Sequence, residues 1–267
     1  MRTVLMCHAE DAFDRQGLAA WLASFSDLAG LILIEETGEQ KRARVRRELK
    51  RVGPLRFLDV LAMRFYYRFR LAAADRAWMD ESLAGLRARF GDVAGVPELR
   101  VSNGNAPEVA TFLASCNADL MIARSKQLLS KRIFRIPRHG CLVMHPGICP
   151  EYRNAHGCFW ALAERDLDRV GLTLLRIDAG VDTGPVYGYF TYAFDEASES
   201  HVRVQYRVVL ENLDALAQRM RDIVDGVARP LDVAGRQSGV WGQPWLSRYL
   251  RWKRAALDKR PAEVAAE

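Results

Sequence analysis

CLVMHPGICPEYRNAHGCFWALAERDLDRVGLTLLRIDAGVDTGPVYG, residues 141–188, decides how the chain is read. Cys141-Leu142-Val143-Met144 is short and apolar, with Gly140 before it and Pro146-Gly147 close behind. A run of that kind predicts a buried strand. His145 stands at its end, and in an open α/β sheet ligands gather at the carboxyl ends of strands. A second apolar run, Gly171 to Ile177, predicts the next strand. It leads into Asp178-Ala179-Gly180-Val181-Asp182-Thr183-Gly184-Pro185, a loop with two acids and two glycines. The expectation is a histidine and a carboxylate on neighbouring strand ends, a general acid/base with an orienting partner.

The rest of the chain extends this α/β pattern in both directions. Thr3–Cys7 predicts a first strand, Gly17–Phe25 an amphipathic helix and Ala29–Glu35 a second strand. Glu98–Val101, Asp119–Ala123 and Val186–Phe190 add strands, and Ala106–Asn117 a helix with Pro107 in its first turn. Glu199–Val227 reads as one long helix whose Val204, Val208, Leu213, Leu216, Met220 and Ile223 cover the sheet. The turn after the first strand, His8-Ala9-Glu10-Asp11, has no glycine, which argues against a phosphate grip there. His8 reads as a surface turn histidine.

Composition narrows the class. The chain has 267 residues, 49% of them hydrophobic and 27% charged, enough for a sizeable core in an ordinary globular protein. No run approaches the ~18 apolar residues of a membrane span. Five cysteines, an odd number with no Cys-x-x-Cys, argue for a reducing cytosol rather than a disulfide framework. His145, Cys149, His156 and Cys158 match no standard zinc spacing, so no metal site is expected.

The charge is uneven. Residues 41–70 hold eleven Lys/Arg against Glu48 and Asp59, a local +9 that exceeds the whole chain's +6. Gly53-Pro54 divides this segment into two helices, and the second interleaves Phe57, Phe65, Tyr66, Tyr67 and Phe69 with arginine. One reading is an inserted helical hairpin, spanning about 38–92, with a solvated basic face. The other is a peripheral contact of residues 41–70 with an anionic membrane or with phosphates. No nucleic-acid motif accompanies the charge. The expected location is the cytoplasm, peripheral to the membrane on the second reading. Residues 1–235 are taken as the α/β domain and 236–267 as a Trp- and Arg-rich extension whose last residues, Pro261–Glu267, are expected to be disordered.

His145-Pro146-Gly147-Ile148-Cys149-Pro150-Glu151-Tyr152-Arg153, Phe159-Trp160-Ala161-Leu162, Gly171-Leu172-Thr173 and Asp182-Thr183-Gly184-Pro185 together resemble the signature of the folate-dependent formyltransferases. That family includes glycinamide ribonucleotide, methionyl-tRNA and sugar-nucleotide N-formyltransferases. The resemblance covers about residues 98–226. It implies a Rossmann-like formyltransferase fold: a mostly parallel twisted sheet with helices on both faces, here with a basic helical insertion and a short C-terminal extension. It also implies formyl transfer from 10-formyltetrahydrofolate, as co-substrate, to a small-molecule amine, with an amino sugar the preferred acceptor. Gln127, Leu128 and Leu129 stand where the family holds the pterin, and Asp178, Gly180 and Val181 belong to the second folate-binding loop. Catalysis would rest on His145 and Asp182.

One position departs from the family. The catalytic Asn two residues before the histidine is Val143, which cannot donate to a developing oxyanion, and losing such a donor costs ~10²–10³ in rate. Asn154, where the family usually has Gly, is the expected substitute donor; His156 is the alternative, and helix capping is the plainer role for either. Two other readings stay open. One is a catalytically degenerate binding protein, and the other a related one-carbon or carbamoyl transferase.

Overall fold

The computed structural model describes residues 1–258. Its strands are β1 (Arg2–His8), β2 (Asp27–Ile34), β3 (Glu98–Val101), β4 (Leu120–Arg124), β5 (Cys141–His145), β6 (Arg153–Asn154), β7 (Leu172–Arg176), β8 (Val186–Phe190) and β9 (Val240–Trp241). The helices are α1 (Ala19–Phe25), α2 (Gly38–Tyr66), α3 (Ala72–Phe90), α4 (Pro107–Cys116), α5 (Lys131–Phe134), α6 (Gly157–Ala163), α7 (His201–Leu210), α8 (Leu213–Val224) and α9 (Leu246–Asp258). Seven strands form the main sheet in the order β3-β2-β1-β4-β5-β7-β8. The first five are mutually parallel, while β7 and β8 run antiparallel to their neighbours. This is the α/β architecture expected from the sequence.

Strand periodicity divides the core into two layers. Leu5, Cys7, Leu33, Ile122, Leu142 and Met144 face one side, where α1, α7 and α8 cover them. Val4, Met6, Ile32, Ile34, Met121 and Cys141 face the other, under α4 and α5. Successive side chains alternate between faces, so a strand covered on both faces is a continuous apolar run. β1 is the clearest case, with Val4 to Cys7 fully buried.

Three features differ from expectation. The long helix ends at Leu210 and resumes at Leu213. Between them the Asn212 side chain donates to Val208 O at 2.8 Å and Thr191 O at 3.0 Å, capturing a carbonyl the helix would use. A helix the composition does not announce, α9, buries Tyr249, Trp252 and Ala256 at helical spacing against α2 and α6. The first helix begins as a π-helical turn, Phe13–Leu18. The expectation of disorder at 261–267 lies outside the described residues.

Residues 38–90 are helical apart from Gly53, with a π-turn at Tyr67–Leu71 joining α2 to α3. Thr37 and Gln40 make a reciprocal capping box at the start of α2. Gly53, at φ 78°, interrupts α2 beside Pro54, as the sequence indicates. The inward side of α2 carries Phe57, Val60 and Met63.

Candidate active site

β5 carries Val143 and His145 on the same face, two residues apart. The chain then turns sharply. Thr173 on β7 pins that turn, its hydroxyl donating to Gly147 O at 2.6 Å and accepting from Cys149 N at 3.0 Å. The turn brings Tyr152 O to 2.7 Å from His145 Nε2. A Cβ on Gly147 would sit 2.6 Å from that carbonyl and 2.8 Å from Nε2, so no side chain fits there. A carbonyl oxygen only accepts, so Nε2 carries the hydrogen. In the neutral ring Nδ1 is therefore the basic nitrogen. It lies 3.6 Å from Asp182 Oδ2, with both side chains largely buried.

Asp182 reaches this position by a route the sequence does not indicate. β7 is antiparallel to β5, and its end at Arg176 pairs with Leu142, while His145 pairs with Thr173 at the other end. The two functional groups do not share a strand end. Instead the 178–185 loop crosses back to the histidine. Asp178 braces the loop, accepting from Gly180 N at 2.9 Å and Thr183 Oγ1 at 2.7 Å. Arg153 Nη1 donates to Val181 O at 3.0 Å, and Asn154 N donates to Asp182 Oδ2 at 2.8 Å.

Asn154 is itself held by the C-terminal extension. β6 pairs with β9, setting Arg153 against Val240 and Asn154 against Trp241. Gly239 N donates to Pro150 O at 3.1 Å, and Trp241 Nε1 donates to Glu151 O at 2.8 Å. The Trp241 ring stacks on Tyr152 and Trp160, with centroids at 5.6 Å and 4.8 Å. The Asn154 side-chain amide donates to Trp241 O. The extension thus engages one amide hydrogen of Asn154, and the contact to Asp182 is the Asn154 backbone N–H. Asn154 also adopts φ 79°, a conformation that Gly or Asn tolerates best. Neither Asn154 nor His156 caps α6 through its side chain. His156 is turned away toward Gln205, whose Nε2 lies 3.2 Å from its Nδ1.

Behind α6, the half-buried His156 lies beside the buried His201, ring centroids 6.1 Å apart. Burial lowers His156 to about 4. Burial, then the neighbouring His156, lowers His201 to about 3. His8 is not a surface histidine. It is buried at the end of β1, accepts from Lys126 N at 3.3 Å, and is held down to about 4 by burial and then by Lys126 and Arg44.

The residues expected to hold folate are divided. Gln127 is occupied within the protein: its Oε1 accepts from Gly104 N at 2.7 Å and its Nε2 donates to Ser102 O at 2.8 Å. Leu129 is buried in the core, while Leu128 is 67% exposed. A cavity of about 490 Å³ lies between the α5 segment and the 178–185 loop. Asp178, Ala179 and Pro185 line it, with Phe134 as an apolar wall and Lys131, Arg135, Arg138 and Arg176 as cations. Gln127, Leu128, Leu129, Gly180 and Val181 do not, nor do His145 and Asp182. The cavity's size and basic lining fit a flat ligand with a carboxylate tail. Sequence reasoning missed Arg176 because it reads as the polar end of a strand. It missed Trp241 because its partners lie far away in the sequence. Among the described residues no cluster of His, Cys, Asp or Glu is arranged to hold a metal ion, and no helix is long and apolar enough to cross a membrane.

The family model for formyl transferases matches residues 86–220. A methionyl-tRNA formyltransferase of Sorangium cellulosum is 36% identical over 94 residues, 35% of this chain and 30% of that enzyme. One from Agathobacter rectalis is 35% identical over 120 residues, 44% of this chain and 37% of that enzyme. The chain thus spans about a third of the length of the curated relatives it matches. The fold matches a 4-N formyltransferase from Francisella tularensis with a TM-score of 0.54 at 10% identity, covering 97% of this chain and 89% of that one. It matches a glycinamide ribonucleotide transformylase from Symbiobacterium toebii with a TM-score of 0.52 at 15% identity, covering 87% and 94%. With the family match across half its length, a span that includes both His145 and Asp182, the chain belongs to the formyl transferase family.

Proposed function

We propose that this protein transfers a formyl group from 10-formyltetrahydrofolate to an amine. The observation that carries the reading is the wiring of His145. Tyr152 O fixes the hydrogen on Nε2, which leaves Nδ1 to work beside the Asp182 carboxylate at 3.6 Å. The folate supplies an activated formyl group. Neither His145 nor Asp182 lines the basic cavity, so Lys131, Arg135 and Arg176 there would meet the folate's carboxylate tail and not the formyl group. His145 holds a proton at Nδ1 for the oxygen on which negative charge develops. Asp182, kept in place by the Asn154 N–H, balances the imidazolium and takes up the proton the amine loses as its nitrogen bonds the formyl carbon; the bond from that carbon to N10 then breaks, and tetrahydrofolate leaves with that proton on N10. The preferred acceptor is an amino sugar.

The test incubates the protein with 10-formyltetrahydrofolate and a panel of amines, amino sugars included, and follows the acceptor by mass spectrometry. Gain of one formyl group, absent in His145→Ala, is the expected result. No transfer, together with no heat of folate binding in calorimetry, would overturn the reading. A gain of a carbamoyl group would move the chemistry to carbamoyl transfer.

A second reading has its own observation. Val143 supplies no hydrogen-bond donor, and one amide hydrogen of Asn154 is engaged by Trp241 O. A site so depleted suits a binding protein that has kept the fold. Formyl transfer gained in Val143→Asn, with none in the native chain, would establish it.

A further inference from the structure

The outward face of α2 carries a stripe that the formyl-transfer reading does not use. Leu55, Leu58, Phe65 and Phe69 are 83%, 62%, 61% and 74% exposed. With Ala62 between them their spacing is three, four, three and four, so they line one side of the helix and run into the π-turn that follows it. The opposite side, Phe57, Val60 and Met63, is buried against the body of the protein. The rings of Phe65 and Phe69 are parallel, with centroids 6.4 Å apart. A contiguous apolar stripe on an otherwise polar surface marks an interaction site.

The charge beside the stripe selects the partner. Arg68 and Arg70 flank the stripe on its two sides, are exposed like Arg64 nearby, and none of the three makes an ion pair among the described residues. A second copy meeting this face in an isologous contact would set one +9 segment against another. Phosphates alone would leave Leu55 and Leu58 in water. A bilayer with anionic headgroups satisfies both: apolar side chains enter the acyl boundary and arginines stay at the phosphates. We propose that this helix rests on the surface of an anionic membrane. The same α2 touches the C-terminal extension, with Asp59 accepting from Ser247 N at 2.9 Å and Glu48 from Gln243 N at 3.3 Å. That extension pairs with the strand holding Asp182, so docking and active site share one rigid frame. The proposal does not depend on formyl transfer.

The experiment is flotation of the full chain with vesicles of phosphatidylcholine alone or mixed with phosphatidylglycerol. Binding to the mixed vesicles is expected, weak or absent on the neutral ones, and reduced by high salt. Replacing Leu55, Leu58, Phe65 and Phe69 together by serine should cut binding ~10-fold or more with an unchanged thermal melt, because all four are exposed. Arg64→Glu, Arg68→Glu and Arg70→Glu together should cut it by about 10² or more. No binding to the mixed vesicles would overturn the proposal. So would binding indifferent to the serine changes, or a dimer in solution that those changes dissolve.

Discussion

The two histidines on either side of the Pro146–Asn154 turn have the same chemistry and opposite surroundings. His145 meets a carbonyl on one nitrogen and a carboxylate on the other. His156 lies against a second histidine and an amide, with no carboxylate in hydrogen-bond contact, and burial keeps it neutral. The contrast teaches that the partner set, not the histidine, makes a proton-handling group. It also separates short-range from long-range wiring. His145 and its carbonyl lie seven residues apart, whereas Asn154 depends on Trp241, 87 residues away.

The largest effect should come from the short-range set. His145→Ala should lower kcat by ~10³-fold or more, read from initial rates of formyl transfer with a formylated acceptor as product. Asp182→Asn keeps the size and tolerates the φ of 50° at that position, yet removes the charge. It should lower kcat by ~10²-fold, with the KM for folate little changed.

The long-range wiring should fail more gently. Trp241→Ala removes the stack on Tyr152 and Trp160 and should cost about 2–3 kcal/mol in a denaturant titration. By loosening Asn154 it should also lower kcat ~10-fold. A loss of about 2–3 kcal/mol with an unchanged kcat would show that the extension is structural only.

The pair of His156 and His201 should reveal itself in acid. His201 is lowered to about 3 in the fold, while an unfolded histidine titrates near 6.5. Between those values the unfolded chain holds the extra proton, so the stabilisation is present above about 6.5 and is lost as the pH falls. The limiting slope is about 1.4 kcal/mol per pH unit for each such histidine. Denaturant titrations between neutral pH and about pH 5 should show it, and His201→Phe should reduce the slope, since Tyr67, Phe159 and Tyr249 already surround the ring.

The smallest effect is the sharpest test of Asn154. Asn154→Gly keeps the backbone N–H on Asp182 and suits φ 79°, so kcat should stay within ~3-fold. A side chain acting as oxyanion donor would instead demand a loss of ~10²-fold.

Legibility followed sequence distance. β3 and β8 run where the apolar runs between breakers place them, and the Gly53-Pro54 interruption of α2 was readable from two residues. The nearness of His145 and Asp182 was readable too, since one stretch holds both. The reversal of β7 was not, because an apolar strand carries no mark of its direction. Nor was the break at Asn212, where a side chain competes with the helix for a carbonyl while the apolar spacing continues on both sides. The pairing of Arg153–Asn154 with Val240–Trp241 was the least visible, because two-residue strands have no periodicity to detect.

The central claim is that Nδ1 is the working nitrogen of His145. Long-range ¹H–¹⁵N correlation of histidine-labelled protein tests it without any knowledge of the acceptor. His145→Gln assigns the signal, and the pH is raised until the ring is neutral. The geometry predicts a protonated Nε2 and an unprotonated Nδ1, with the Nδ1 shift moving in Asp182→Asn. A neutral ring with its hydrogen on Nδ1 would contradict the claim.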